Sequence, residues 1–306
     1  MITYNRILAV VQPDKSEQPA LSRAIEIAKK TGAEVHALLV VYDFSYDMTT
    51  MLTRAEREAM RKAVTNDRKQ WAENTFSHYD GCPVKVSVVW NDKRYEAIIR
   101  YAVEQNIDLV VKSTRQHHEL STIIFTPTDW NLLRKCPTPV LLVKDHVWPE
   151  NGTVVAAVNV GTEDKEHAEL NNKITVVATD YANMLSGQVH LANAYPSTPL
   201  NIAIEIPDFN AQTYQNSVRD HHLKEMEAHS AKYGIGIANC HVVEGLPEKA
   251  VSRISEQLNA ELVVIGTVGR TGLSAAFIGN TAEHVLDSLN CDVLAIKPDG
   301  YVSPIS

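Results

Sequence analysis

The chain contains an internal repeat that spans most of its length. When residues 108–144 are shifted forward by 153 positions, they align without a gap on residues 261–297, and 11 of the 37 aligned pairs are identical. Further matches follow in the same order, and His36 aligns with His190. An ungapped alignment of this kind indicates that one folding unit has been duplicated.

The repeat divides the chain into two domains of ordinary size. We predict a first domain over residues 1–146 and a second domain over residues 152–306. The stretch Asp145–Gly152 between them carries a proline and a glycine, which is typical of a linker.

Each half alternates short apolar runs with amphipathic stretches. The predicted strands are 5–11, 34–41, 84–90, 107–112 and 138–143 in the first half, and 153–159, 188–194, 236–244, 261–266 and 292–297 in the second. The predicted helices of the first half are 18–31, 53–78, 94–105 and 128–135. Strands such as Leu262–Ile265 are apolar on both faces, as in parallel sheets covered by helices. We therefore predict an α/β fold with two tandem, doubly wound parallel sheets.

The composition excludes several classes of protein. With 44% hydrophobic and 22% charged residues, the chain is globular rather than disordered. A net charge of −8 without a Lys/Arg cluster argues against nucleic acid as a direct partner. The chain has no apolar run long enough for a membrane span, and we expect no signal peptide because its first residues lack the long apolar core of one. With four scattered cysteines, expected to be buried thiols, this predicts a cytoplasmic protein.

The histidines and the usual catalytic motifs give little sign of enzymatic chemistry. The sequence has no HExxH, GxSxG or Walker loop, which argues against a motif-defined hydrolase or P-loop enzyme. We expect the 12 histidines to be polar surface residues. His222 and His229 lie about 10 Å apart on a helix, too far to share one metal ion directly. A zinc site at His117 or His118, completed from elsewhere, remains an alternative.

A glycine-bearing loop follows the fourth predicted strand of the second half. Gly266, Gly269 and Gly279 allow backbone N–H groups to approach an anion closely. Asn280 and Thr281 then begin a predicted helix, whose free N–H groups and dipole favour phosphate. In an open parallel sheet, ligands bind at this edge, beyond the carboxyl ends of the strands. The loop therefore predicts a local anion site.

The loop resembles the nucleotide-binding signature of the universal stress protein family, which is Gly, two residues, Gly, nine residues, Gly, then Ser or Thr. The three glycines match at the required spacing, and Asn280 stands at the Ser/Thr position. The resemblance extends over both halves, so the chain looks like a tandem universal stress protein of the bacterial type. It implies a five-stranded parallel sheet of order 3-2-1-4-5 in each half, with helices on both faces.

The resemblance also implies ATP as ligand, possibly with Mg²⁺. The residues expected to bind it are Asn159, Gly266, Val268, Gly269, Arg270, Gly279, Asn280 and Thr281. Family members that bind ATP carry Asp at the end of the first strand, where it meets the adenine. Here Asn159 stands at that place in the second half and Gln12 in the first. Arg270 can add a charge-assisted contact to phosphate.

The first half departs further from the signature. At the positions aligned with Gly266, Gly269, Gly279 and Asn280 it carries Ser113, Gln116, Thr126 and Pro127. The proline removes a backbone donor. We therefore expect a degenerate nucleotide loop in the first half, which would serve as a pseudo-dimer partner of the second.

The predicted function is that of a cytoplasmic stress-survival protein, including survival of DNA damage or oxidative stress, that binds ATP or a related nucleotide in its second domain. Any ATPase activity should be slow, because the sequence shows no carboxylate placed as an obvious base. A homodimer is also compatible with the sequence.

Two alternatives remain open. The glycines can be turn residues without a ligand, with Asn280 and Thr281 as helix caps, in a non-nucleotide interaction scaffold. The connection over residues 195–209 alternates apolar residues that must bury against something. These can contact the other domain or another subunit, or form a lid over an amphiphilic, acyl-bearing or nucleotide-linked ligand.

Overall fold

The computed structural model of the chain describes residues 2–13, 15, 17–45, 52–117, 120–197, 210–267 and 289–305, with backbone only for 115–117 and 120–124. These residues form two compact units. The first unit comprises Thr3–Arg115, Phe125–His146 and the C-terminal segment that begins at Val302. The second unit comprises Val147–Tyr301 together with Gln116–Ile124. Each unit thus includes a short segment from the opposite half of the sequence.

Strands and helices alternate along the described chain. The strands are β1 (Arg6–Val11), β2 (Glu34–Val41), β3 (His78–Tyr79), β4 (Cys82–Trp90), β5 (Leu109–Ser113), β6 (Arg115–His117), β7 (Leu120–Ile124), β8 (Val140–Val143), β9 (Thr153–Ala157), β10 (Gln188–Tyr195), β11 (Cys240–Glu244), β12 (Ala260–Gly266) and β13 (Asp292–Ile296). The helices are α1 (Pro19–Thr31), α2 (Arg54–Phe76), α3 (Arg94–Glu104), α4 (Pro127–Lys135), α5 (Lys165–Met184), α6 (Ala211–Ala231) and α7 (Pro247–Gln257).

The first unit is built on a parallel sheet in which β1 is central. The strands lie in the order β4-β2-β1-β5-β8, and the two-residue β3 pairs antiparallel with β4 at the edge. Ile7 of β1 lies between Val35 of β2 and Leu109 of β5, and all three are buried. Helix α1 ends at Thr31, where the predicted helix 18–31 also ends, and Gly32 caps it with a left-handed φ of 77°.

The second unit repeats this arrangement with β9 at the centre. Its strands lie in the order β11-β10-β9-β12-β13, all parallel. Leu262, Val263 and Val264 of β12 are completely buried, as a strand covered on both faces requires. The predicted α/β class with parallel sheets and covering helices is therefore confirmed.

Two local features differ from the sequence prediction. The strand predicted over 236–244 begins only at Cys240, because a 3-10 turn over Ile237–Asn239 precedes it. That turn is closed by the Asn239 N–H, which donates to the Gly236 carbonyl at 2.9 Å. Between β5 and α4 the chain also forms the two-stranded sheet β6-β7, which no sequence pattern indicated. Among the described helices, none has the length and apolarity needed to cross a membrane.

Candidate functional site

The candidate site lies at the carboxyl ends of β9 and β12, neighbouring parallel strands of the second unit. Asn159 follows β9 by two residues, and Gly266 is the last residue of β12. The register pairs Val264 with Ala156, so both chain segments leave the sheet at the same edge. The fold therefore brings these two predicted site residues to the edge where ligands bind in parallel sheets.

The backbone of Asn159 is held by a side chain of helix α5. Its N–H donates to Asn171 Oδ1 at 2.9 Å, and its carbonyl accepts from Asn171 Nδ2 at 2.8 Å. Asn171 is buried, whereas Asn159 is exposed. The arrangement fixes the backbone and presents the Asn159 side chain, which can donate to and accept from a ligand.

Gly266 is favoured by packing. A Cβ at this position would lie 2.5 Å from Leu170 Cδ2 and 3.1 Å from Ile174 Cδ1, both on helix α5. The absent side chain therefore allows the end of β12 to approach α5 closely. This is a structural reason for the first glycine of the signature that holds with or without a ligand.

The backbone after Asn159 is linked to helix α6 through Asn193 of β10. The Val160 N–H donates to Asn193 Oδ1 at 3.2 Å, and Asn193 Nδ2 hydrogen-bonds to His222 Nδ1 at 2.9 Å. Burial, followed by the charge of His221, lowers the pKa of His222, so its imidazole is neutral at pH 7. Sequence reasoning did not assign His222 or Asn193 to the site.

A repeated threonine fixes the start of the loop after β12. Thr267 donates through both its backbone N–H and its hydroxyl to the Ile296 carbonyl, at 2.9 and 3.2 Å. Thr114 makes the same two bonds to Val143 in the first unit, at 2.9 and 3.2 Å. Because the contact occurs in both units, identity at this repeat position is explained by the fold rather than by a ligand.

Lys297 places a positive charge beside that loop. Its ammonium group is buried and donates to the Thr267 carbonyl at 3.2 Å. Lys297 is one of the identical pairs of the repeat, aligned with the buried Lys144. Because the aligned Lys144 is also buried in the first unit, the identity of this pair does not by itself indicate a ligand.

In the first unit, the place that corresponds to the base side of the site is closed by the protein's own side chains. Gln12 Nε2 donates to Ser113 Oγ at 3.0 Å, so the residues aligned with Asn159 and Gly266 bind each other. Gln18 holds the Gln12 backbone as Asn171 holds Asn159, through bonds of 2.9 and 2.7 Å.

The N-terminus of helix α4, where the first unit would bind phosphate, holds a carboxylate. Asp129 Oδ2 accepts from the Thr126 N–H and hydroxyl, both at 2.7 Å, in a capping box. Lys112 Nζ lies 2.6 Å from Asp129 Oδ1, and Asp129 is completely buried. At the aligned positions the second half carries Ile265 and Ala282, which cannot form this ion pair.

Most of the predicted phosphate-binding residues lie outside the described part of the chain. These are Val268, Gly269, Arg270, Gly279, Asn280 and Thr281. Residues 198–209 of the predicted lid segment and His118 of the alternative zinc site also lie outside it, and the side chain of His117 is not described. Among the residues that are described, no three His, Cys, Asp or Glu side chains cluster as a metal site would require.

The prediction that the histidines are surface residues is wrong for four of them. The buried ones are His36, His190, His222 and His229. His36 Nδ1 lies 3.0 Å from Tyr101 Oη, and the aligned His190 Nδ1 lies 3.0 Å from His241 Nε2. Burial lowers the pKa of all four histidines. Of the cysteines expected to be buried, Cys136 and Cys291 are buried, whereas Cys82 and Cys240 are only half-buried.

Comparison with known families gives one match in each half. The model of the universal stress protein family matches residues 3–144 and again residues 157–297. The second match ends beyond the glycine-bearing loop, so it includes the whole candidate site.

Curated relatives are similar over the full length. Universal stress protein E of Escherichia coli K12 is 46% identical over 308 residues, covering 100% of this chain and 98% of the relative. The universal stress protein E of Photorhabdus laumondii is 46% identical over 309 residues, with coverages of 100% and 98%. The universal stress protein E homolog of Haemophilus influenzae is 41% identical over 302 residues, with coverages of 96% and 98%.

Solved structures share the architecture. A functionally unknown protein from Pseudomonas aeruginosa PAO1 is 31% identical, with a TM-score of 0.70 over 97% of this chain and 93% of that one. A universal stress protein from Archaeoglobus fulgidus is 18% identical, with a TM-score of 0.61 over 96% and 98%. At that identity, the second likeness concerns the fold alone.

Proposed function

Because the chain belongs to the universal stress protein family, with two such domains in tandem, we propose that its second half binds ATP or a related nucleotide, with Mg²⁺ as a possible companion. In this proposal Asn159 contacts the base. The loop from Gly266 through Arg270 to Thr281 holds the phosphates. Binding would serve survival under stress, including DNA damage or oxidative conditions.

The observation that carries the proposal is the difference between the two units. In the first unit Gln12 bonds to Ser113 and Asp129 caps α4, so base and phosphate positions are both filled from within. In the second unit the aligned positions are an exposed Asn159 and a glycine. The first unit, whose equivalent positions are filled by its own side chains, also lacks the glycine signature, whereas the second unit carries it. We therefore assign the first unit the role of a folded partner.

A cytoplasmic location and the absence of a direct nucleic-acid partner belong to the same proposal. The four cysteines are free thiols, as a reducing compartment favours. The net charge of −8 opposes a phosphate backbone. Any hydrolysis of ATP should be slow.

Titration with Mg-ATP tests the proposal, using variants at one repeat position in each half. A ligand at about 100 times its Kd stabilises a protein by about 2.7 kcal/mol, so wild type should show a raised Tm at millimolar ATP. Thr281→Glu should weaken binding at least about tenfold, because its carboxylate repels phosphate. Thr128→Glu, the aligned change in the first unit, should leave ATP affinity unchanged. An unmoved Tm in wild type, or equal losses in both variants, would contradict the proposal.

Native mass spectrometry of the isolated protein separates the proposal from its alternatives. A copurified mass of a nucleotide supports it. A lipid-like mass favours the carrier of an amphiphile under the 195–209 segment. If the protein is isolated without any ligand and does not bind added ATP, the result favours the interaction scaffold.

A further inference from the structure

The strongest feature that the proposed function leaves unused is a buried contact between helix α6 and the loop after β9. The His222 side chain projects from α6, and its residue is only 7% exposed. Its ring lies against Gly161 of the loop and against Tyr195 of β10, with a ring-centroid distance of 5.7 Å to the tyrosine. The loop that it contacts begins at Asn159, the proposed base contact.

The hydrogen bonds around His222 admit only one arrangement of protons. The Val160 N–H is a donor, so the amide of Asn193 must turn its Oδ1 toward it, at 3.2 Å. The Nδ2 of Asn193 then points at His222 Nδ1, 2.9 Å away, and an NH₂ group can only donate. His222 Nδ1 is therefore an acceptor, and the imidazole is the neutral tautomer with its proton on Nε2. If the amide of Asn193 were reversed, two donors would face each other at Val160.

The imidazole also fills the space that a side chain at residue 161 would need. A Cβ on Gly161 would lie 2.1 Å from Cε1 of His222, 2.5 Å from Nε2 and 2.7 Å from Nδ1. The ring therefore rests directly on the loop backbone. Hydrogen bonding fixes residue 160 and ring contact fixes residue 161, while Asn171 of α5 fixes residue 159.

We propose that His222 is a positioning residue of the nucleotide site, which holds the loop at 159–161 in its binding conformation by orienting Asn193. The expected effect on ATP affinity rests on the proposed function, whereas the contacts of His222 with Asn193 and the loop do not. It assigns α6 a part in ligand binding without direct contact with the ligand. The acceptor at Nδ1, and not only the volume of the ring, carries the effect.

Three variants of the full chain test the inference. His222→Phe keeps an aromatic ring over Gly161 but removes the acceptor. His222→Asn removes the ring but keeps an acceptor, because asparagine Oδ1 is attached to Cγ at the position of histidine Nδ1. His229→Phe is the matched control: His229 lies on the same helix, is also 7% exposed, and bonds to Thr175 Oγ1 at 2.8 Å rather than to the loop.

Two readouts are needed, the Kd for Mg-ATP and the hydrogen-exchange rate of the Val160 amide measured by NMR. In His222→Phe we expect about tenfold weaker ATP binding and about tenfold faster exchange at Val160, the effect of one lost buried hydrogen bond. His222→Asn should restore both values to within about threefold of wild type. His229→Phe should lower Tm without changing either value.

Several outcomes would overturn the inference. If the Val160 amide exchanges in His222→Phe at the same rate as in wild type, Asn193 needs no hydrogen-bond acceptor from α6. Equal losses in the Phe and Asn variants show that ring volume, rather than the acceptor, matters. If wild type does not bind ATP, the proposed function fails, and the exchange rates at Val160 still decide whether His222 holds the loop.

Discussion

At the scale of single residues, the second unit depends on close approaches between backbone segments. Gly187 precedes β10, and a Cβ placed on it would lie 1.9 Å from the Gly152 carbonyl oxygen. The neighbouring Asn151 N–H donates to the Leu185 carbonyl at 2.8 Å, so the two segments are also hydrogen-bonded. A backbone atom cannot move aside as the end of a flexible side chain can. The absence of a side chain at 187 is therefore a packing requirement.

We expect Gly187→Ala to lower the free energy of unfolding by about 3 kcal/mol, because the added methyl group forces the Gly152 backbone to move. Gly236→Ala is the control: no atom lies within 4 Å of its added Cβ, and its φ of −64° suits alanine. That change should alter stability by less than about 1 kcal/mol. Urea unfolding of the full chain measures both, and equal midpoints would contradict the packing argument.

The buried histidines show what the sequence could not reveal at this scale. Asn193, the partner of His222, lies 29 positions away, and Tyr101, the partner of His36, lies 65 positions away. A polar side chain is expected at the surface unless a partner compensates its burial, and such partners are chosen by the fold. For the same reason Asn159 could be predicted as a site residue from its place after a strand, whereas Asn193 and His222 could not.

At the scale of elements, the N-terminus of helix α4 is occupied by a carboxylate of the helix itself, that of Asp129. Lys112 at the end of β5 and Asp129 in the first turn of α4 form an ion pair of 2.6 Å, with side chains 11% and 0% exposed. Lys112 also donates to the Ser113 carbonyl at 3.0 Å. The ion pair joins β5 to α4. It occupies the place in the first unit that is equivalent to the proposed phosphate site of the second unit.

We expect Lys112→Met to lower the free energy of unfolding by about 3–5 kcal/mol, because it leaves the Asp129 carboxylate buried without its cation. Adding Asp129→Asn should recover at least about 1 kcal/mol, since the amide oxygen still caps α4 but carries no charge. A double-mutant cycle by urea unfolding measures the coupling. Additive losses would show that the two side chains do not stabilise each other.

Most helices and strands could be predicted from the sequence, because each is marked by residues within or next to the element itself. Apolar runs marked the strands, and Gly32 marked the end of α1. The late start of β11 at Cys240 was not predictable, because the preceding residues Ile237–Asn239 are held in a turn by long-range bonds such as Asn239 Nδ2 to the Val189 carbonyl at 3.2 Å. The β6-β7 sheet carries no such local pattern.

At the scale of the whole molecule, buried and half-buried histidines link stability to pH. Burial, with a contribution from the nearby Arg23, lowers the pKa of His146 from 6.5 to about 4. The pKa values of His36, His190, His222, His229 and His241 are also lowered by burial. The unfolded chain then binds more protons than the folded chain as pH falls below 6.5. The resulting stability is complete above that value and is lost toward pH 4.

We therefore expect the urea midpoint to fall steadily between pH 7 and pH 4.5. His146 alone should contribute about 2 kcal/mol between pH 7 and pH 4.5, at 1.36 kcal/mol for each pH unit. His146→Gln should make the dependence on pH shallower, because the group with the lowered pKa is removed. A profile that is flat from pH 7 to 5 in wild type would contradict this linkage.

The exchange of short segments between the units has a consequence for how the gene can be divided. Gln116–Ile124 belongs to the unit formed by the later half of the gene, and the residues from Val302 belong to the unit formed by the earlier half. Within the described chain, Ser303 Oγ donates to the Lys135 carbonyl at 2.8 Å, so the segment from Val302 satisfies a carbonyl at the end of α4. A gene cut at its midpoint would encode two incomplete products.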